Sequence, residues 1–171
     1  MKMKYIIIGA IVLLSVTTVD AGWFGYDNGE CEIFQITPPE GYHNAGELTY
    51  NESLFLSTTV TEYPYHSLHV AELTKEEYEN NTNNIIESNE TYKILKDYKE
   101  DNIRIIESQN QRYDDYNEKT ILEYNATTAF ISKDGHYYVV GIGHKECSFD
   151  EKEFDNDTKI IKNIYDSLRR K

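Results

Sequence analysis

Positive charge is what this chain has least of for its size. Seventeen Lys and Arg stand against 30 Asp and Glu, a net charge of −13 at pH 7. Such a balance repels phosphate backbones and anionic lipid, which argues against nucleic-acid binding and against docking on a membrane surface. Cysteine is scarce as well: Cys31 and Cys147 are the two in the chain, and they form no CxxC pair of the kind that marks a zinc site. HExxH, GxSxG and a phosphate-binding glycine loop are all missing, so no enzyme class is announced by a motif. After the first 16 residues there is no second apolar run long enough to span a bilayer.

What is present begins at the first residue. Lys2 and Lys4 precede an apolar run, Tyr5 to Val16, broken by Gly9 and Ser15, and Val19-Asp20-Ala21 sets small residues where a signal peptidase reads. The expectation is a signal peptide over residues 1–21, with an uncleaved N-terminal anchor as the alternative. The run is shorter than the roughly 20 residues that cross a bilayer comfortably, which favours cleavage. Residues 22–30 read as a flexible aromatic and glycine-rich lead-in, and 31–171 as a single domain, since about 150 residues suit one core and not two. In an exported chain Cys31 and Cys147 point to a disulfide. Sequons at Asn51, Asn80, Asn89, Asn125 and Asn156 supply glycosylation candidates.

The strongest local signal is AFISKDGHYYVVGIGHK, from Ala129 to Lys145. Two β-prone runs flank Asp134-Gly135, a dipeptide that accepts the positive φ of a tight hairpin turn. Beyond the turn, Tyr138, Val140 and Ile142 point one way while Tyr137 and Val139 point the other. With both sides apolar, this strand belongs at the centre of a sheet covered on both faces. Other strands are expected at Cys31 to Ile36, closed by Pro38-Pro39-Glu40-Gly41-Tyr42, and at Leu54 to Val60, Ser67 to Leu73, Tyr92 to Tyr98, Ile103 to Glu107 and Lys119 to Ser132. Thr74 and Glu77 make a capping box for a helix running to about Ser88, with Tyr78, Ile85 and Ile86 toward the sheet. A second helix is expected over Asp155 to Arg170. Its stripe is Ile160, Ile161, Ile164, Tyr165 and Leu168, and Arg169, Arg170 and Lys171 complement its dipole.

This succession of strand, Pro-Pro-Glu-Gly-Tyr turn, strands, capped helix, strand meander, Asp-Gly-His-Tyr-Tyr-Val-Val and terminal Ile-Ile-Lys-Asn-Ile-Tyr-Asp-Ser-Leu helix resembles the PsbP/Mog1-like family, which includes secreted microbial members. The likeness spans Glu32 to Leu168. It implies an α+β fold, an α/β/α sandwich with a central antiparallel sheet flanked by helices. The family serves chiefly as protein-binding or accessory domains and seldom as enzymes. No partner-contact residue of the family is matched here, so the resemblance carries the fold and not the partner.

Residues that could carry chemistry are few. His66 and His69, three apart on a strand, face opposite sides and do not share a metal. His136 beside the turn and His144 at the strand end read as exposed polar residues. Asp155 and Asp157 open a helix, where carboxylates are stabilised in any case, with weak calcium binding as a further option. Of 15 tyrosines, Tyr26, Tyr42, Tyr63, Tyr65, Tyr113 and Tyr116 fall in loops or at strand ends. They form either a contact surface for protein or carbohydrate, or rings that cover sheet edges. The function expected is an exported non-catalytic domain that binds a protein or glycan at the cell surface, or an accessory subunit there, without a cofactor. The alternative is a hydrolase or metal-dependent enzyme with a site near His144 and Cys147.

Overall fold

The computed structural model describes residues 29–44, 53–58, 66–84, 87–88, 92–114, 116–145 and 151–171. The expected signal segment and most of the lead-in lie outside these residues. In chain order the elements are β1 (Phe34–Gln35), β2 (Tyr42–Asn44), β3 (Ser53–Thr58), β4 (His66–Leu73), α1 (Lys75–Asn83), β5 (Tyr92–Glu100), β6 (Ile103–Asp114), β7 (Lys119–Lys133), β8 (His136–Lys145), α2 (Glu151–Ser167) and β9 (Arg169–Arg170). Seven of the strands make one antiparallel sheet in the order β2-β3-β4-β8-β7-β6-β5, so β8 is its middle strand. The hairpin that delivers β8 turns at Asp134 and Gly135, with φ of 53° and 81°. Both lie in the left-handed region that glycine adopts freely and aspartate tolerates.

Alternation along β8 divides the interior in two. Tyr138, Val140 and Ile142 pack with Leu68, Val70, Ile105 and Ala129 beneath Ile161, Ile164 and Leu168 of the C-terminal segment. Val139 lies on the opposite face with Ile106 and Phe130, where Leu73 and Tyr78 pack against it. The two coverings are unequal. α2 has 17 residues and α1 has nine, so the described residues form an antiparallel sheet with two helices, dominated by the sheet, in place of the α/β/α sandwich expected.

The capping box forms as read: Thr74 Oγ1 accepts from Glu77 N at 3.2 Å, and Glu77 Oε2 accepts from Thr74 N at 2.8 Å. The helix then stops at Asn83, short of Ser88. Asn81 Nδ2 and Thr82 Oγ1 bond back to the carbonyls of Glu77 and Tyr78 at 2.7 and 2.8 Å, the local competition that makes Asn and Thr poor helix formers. Ile85 and Ile86 lie outside the described residues.

α2 likewise ends earlier than expected. Arg169 and Arg170 leave it to pair with Gln35 and Phe34 across β1, so the C-terminal basic cluster does not continue the helix. β1 itself is confined to two residues of the expected Cys31 to Ile36 strand. Arg169 Nη1 still donates to the carbonyl of Asp166 at 2.5 Å, as expected for a cation at this helix end, and further cations for the helix ends come from the sheet. Lys133 Nζ donates to the carbonyls of Tyr165 and Asp166, and Arg104 Nη1 to those of Asn81 and Asn84; each places positive charge at a helix C-terminus, where the dipole favours it. At the start of the described residues Gly29 has φ 92°, and a Cβ there would stand 2.6 Å from the Ile36 carbonyl oxygen. The tail of the lead-in is thus built into the fold at Gly29, not free.

Candidate functional site

Register sorts the sheet face beneath α2 into cross-strand rows. One row, Val70, Val140, Ala129 and Ile105, is apolar. The next reads Leu68, Ile142, Thr127, Glu107 and Lys96, and the one after it His66, His144, Asn125 and Gln109. The face therefore changes from hydrocarbon to polar along the strands. The C-terminal half of α2 lies over the apolar rows, and Asp157 in its N-terminal half reaches the polar ones.

Asp157 is 0% exposed and His144 is 1% exposed. His144 Nε2 lies 2.9 and 2.8 Å from the two carboxylate oxygens, and Thr127 Oγ1 donates to Asp157 at 2.7 Å. Burial on its own would depress the imidazole, but the hydrogen bond and charge of Asp157, helped by Glu153, outweigh it and raise the His144 pKa. Asp157 thus favours the protonated form of the imidazole. His66 sits edge-on to this ring at 4.3 Å, and burial, together with the charge on His144, lowers its pKa. Tyr42 completes the surroundings. Burial raises its hydroxyl pKa strongly, and the charge of Asp157 adds to the effect.

Beside this sealed cluster, where β5 and β6 meet α2, lies an open cleft of about 750 Å³. The sheet lines it with Lys96, Asp97, Tyr98 and Glu107, and the helix with Asp155, Thr158, Lys159 and Lys162. Glu107 is the link between cleft and cluster, being the cross-strand partner of Thr127. Its side chain is 3% exposed, with Lys96 Nζ 3.3 Å from Oε2. Burial pushes the Glu107 carboxyl pKa up, Lys96 opposes this, and Asp155 and Asp157 add to it. The Tyr98 hydroxyl and Thr158 Oγ1 join sheet to helix at 3.1 Å. The arrangement can accept and donate hydrogen bonds to a polar ligand at the cleft while keeping the imidazole behind it out of reach.

The residues singled out from sequence are distributed differently from expectation. His144 is a core residue and not an exposed one, and Asp157 is its buried partner and not a solvated helix-start carboxylate. His66 and His69 do face opposite sides: His66 meets His144, whereas His69 packs against Phe55 at 6.3 Å. His136 bonds Glu72 Oε1 at 3.1 Å. Tyr42 is 5% exposed and belongs to the core, so it offers no contact surface. Tyr116 is 93% exposed. Tyr113 lies in β6 with its side chain outside the description, and Tyr26, Tyr63 and Tyr65 lie outside the described residues. Asn80 and Asn156 are exposed, while Asn51 and Asn89 lie outside. Asn125 is 1% exposed and Thr127, which completes its sequon, is 0% exposed. A glycan at Asn125 is incompatible with this packing. Cys31 is buried with Sγ 3.6 Å from the Phe34 carbonyl oxygen; Cys147, its expected partner, lies outside the described residues. Among the described residues no group of three His, Cys, Asp or Glu could hold a metal ion.

Sequence reasoning missed Glu107 and Thr127. The available signal was that Thr127 and Asn125 share the inward parity of Ala129 and Ile131, which puts polar side chains on the core face of a strand.

No family model matches the chain, and no curated protein matches it. Among solved structures, the Ran-binding protein Mog1p of Saccharomyces cerevisiae matches at 10% identity, over 80% of this chain and 89% of that one, with a TM-score of 0.48. A point mutant of Mog1 matches at 11% identity over the same shares, with a TM-score of 0.47. LpqN of Mycobacterium tuberculosis, involved in cell envelope biogenesis, matches at 8% identity over 80% of this chain and 82% of its own, with a TM-score of 0.37. What this chain shares with them is a distant likeness in the course of the backbone, and no residue role passes from them to it.

Proposed function

We propose that the chain is an exported, non-catalytic binding domain that holds a protein or glycan of the cell envelope, or acts as an accessory subunit there, through the cleft between β5, β6 and α2. The observation that carries this reading is the division of labour at the polar end of the sheet. The imidazole and carboxylate best suited to proton transfer are sealed from solvent and bound to one another, whereas the groups that line the open cleft suit holding a ligand. A general base has to reach the proton it removes, and His144 does not reach the surface. The same burial weakens the alternative of a hydrolase or metal-dependent site near His144 and Cys147. Export rests on the N-terminal pattern of Lys2, Lys4 and the apolar run up to Val16.

The test is retention of cell-envelope protein and polysaccharide fractions on the immobilised chain, compared with the double variant Asp155→Ala/Lys159→Ala. Retention that falls in the variant supports the cleft as the binding surface. Equal retention by both proteins overturns it, and turnover of an ester, peptide or glycoside that is lost in His144→Ala replaces it with the enzyme reading.

A further inference from the structure

Building on the reading of the cleft as the binding surface, we infer that its ligand is a neutral glycan whose hydroxyls donate to Glu107 and Asp155 and accept from Lys96 and Lys159. Charge carries the first step. The chain as a whole bears −13, which repels phosphate, sulfate and other anions at a distance. The cleft does not reverse that field, because Lys96, Lys159 and Lys162 face Asp97, Glu107 and Asp155 in equal number. A polyamine gains little either, since the deepest carboxylate already has Lys96 at 3.3 Å. Ligands of strong single-sign charge are disfavoured.

The second step concerns which of these groups are still available. Asp97 is held by Arg104, with Nε donating to Oδ1 at 2.8 Å, and Lys162 is paired with Glu100 at 2.8 Å. Asp155 and Lys159 are exposed on α2 and have no ion-pair partner among the described residues. Glu107 Oε2, buried, has Lys96 within ion-pair range at 3.3 Å, which leaves the carboxylate acceptor capacity at the cleft floor. The cleft thus presents a carboxylate with acceptor capacity at its floor, and an acceptor and a donor on its wall. A hydroxyl is both donor and acceptor, and a sugar ring carries several, so one ring can serve all three.

Size and shape agree. About 750 Å³ falls within the range of small-molecule sites and has room for one or two sugar rings. A protein partner usually needs about 800 Å² of surface on each side, most of it flat. The half-buried ring of Tyr98, fixed by its hydroxyl bond to Thr158, adds an apolar wall of the kind that the C–H face of a sugar covers.

The experiment is an amide-resolved NMR titration of the chain with neutral trisaccharides of glucose, mannose and N-acetylglucosamine, and in parallel with inorganic phosphate, spermidine and an acidic hexapeptide. The expected result is a saturable shift of the amides of Lys96 to Tyr98, Glu107 and Asp155 to Lys159 with at least one trisaccharide, and none with phosphate or spermidine. Asp155→Ala/Lys159→Ala should then weaken that binding about tenfold, as expected for the loss of two polar contacts. Because both residues are exposed, the variant should keep the circular dichroism and melting temperature of the parent. If no neutral trisaccharide moves these amides, the glycan inference is wrong. Phosphate, spermidine or the peptide moving them in its place would leave the cleft as a binding surface for another ligand class. Loss of envelope retention in the double variant, measured separately, tells whether the cleft itself was misread.

Discussion

The sheet face beneath α2 has two ends made by the same four strands and the same helix. At one end Val70, Val140, Ala129 and Ile105 meet Ile161 and Ile164; at the other His144 and Thr127 bond Asp157, with His66, Asn125 and Glu107 beside them. Burying an apolar side chain stabilises by about 1.5–3 kcal/mol. Burying an imidazole and a carboxylate returns little net stability, because desolvation nearly cancels their attraction. The polar end is therefore not the part that holds the domain together. Its effect is to pin the start of α2 onto β7 and β8, which fixes the helix wall of the cleft against Glu107.

The largest effect should come from breaking the polar end one-sidedly. Asp157→Ala leaves the buried His144 imidazole and the Thr127 hydroxyl without their acceptor, and should cost about 3–5 kcal/mol in a urea unfolding curve. His144→Leu combined with Asp157→Leu should return most of that loss, since removing both charges removes the desolvation with them. If the double variant were as unstable as the single one, the claim that the pair adds little net stability would be wrong. At the apolar end Ile164→Ala should cost about 2–4 kcal/mol from the cavity alone, with no partner substitution able to restore it by charge removal.

The next comparison is between a buried histidine, His144, and a half-buried one, His69. Among the described residues His69 has no carboxylate beside it, and burial lowers its pKa to about 4; in His144 Asp157 reverses the effect of burial and the pKa is raised. The signs are opposite. For His69 the folded state binds the proton less well than the unfolded chain, so stability is present above pH about 6.5 and is lost as pH falls toward 4, by up to about 3 kcal/mol. For His144 the contribution is full below about 6.5 and disappears as pH rises through its higher folded value. Urea midpoints measured from pH 4 to 9 should fall at the acid end, and His69→Leu should flatten that limb while leaving the alkaline one. A steep acid limb that persists in His69→Leu would place the titration at His66 or the carboxylates.

Which of these features is legible in the sequence follows from how local their causes are. The Asp134-Gly135 hairpin and the Thr74/Glu77 capping box depend on residues within a few positions of one another, and both form as expected. β8 is central because both of its alternating sets are apolar, which is also a local pattern. His144 reads as exposed because nothing near it in the chain shows that Asp157, 13 residues on, will come down upon it from α2. The same is true of Asn125, whose sequon looks like any other until the register places it between His144 and Gln109. Tyr42 follows the Pro-Pro-Glu-Gly turn, where a surface ring is the ordinary expectation; its burial depends on β2 pairing with β3 and on the ring lying near Asp157. The helix C-termini teach the same lesson, since Lys133 and Arg104, which satisfy them, come from strands remote in sequence.

The smallest stability effect is the one that separates the two roles most sharply. Lys159→Ala lies on the same helix as Ile164, a little more than one turn away, yet its ammonium is exposed and has no ion-pair partner among the described residues. Its removal should change the urea midpoint by less than about 0.5 kcal/mol, as for most surface substitutions. If it nonetheless lowers retention of envelope material, the cleft wall has a role that stability did not require. If it destabilises by as much as Ile164→Ala, then Lys159 is part of the scaffold, and the boundary between the holding end and the binding end has to be moved along α2.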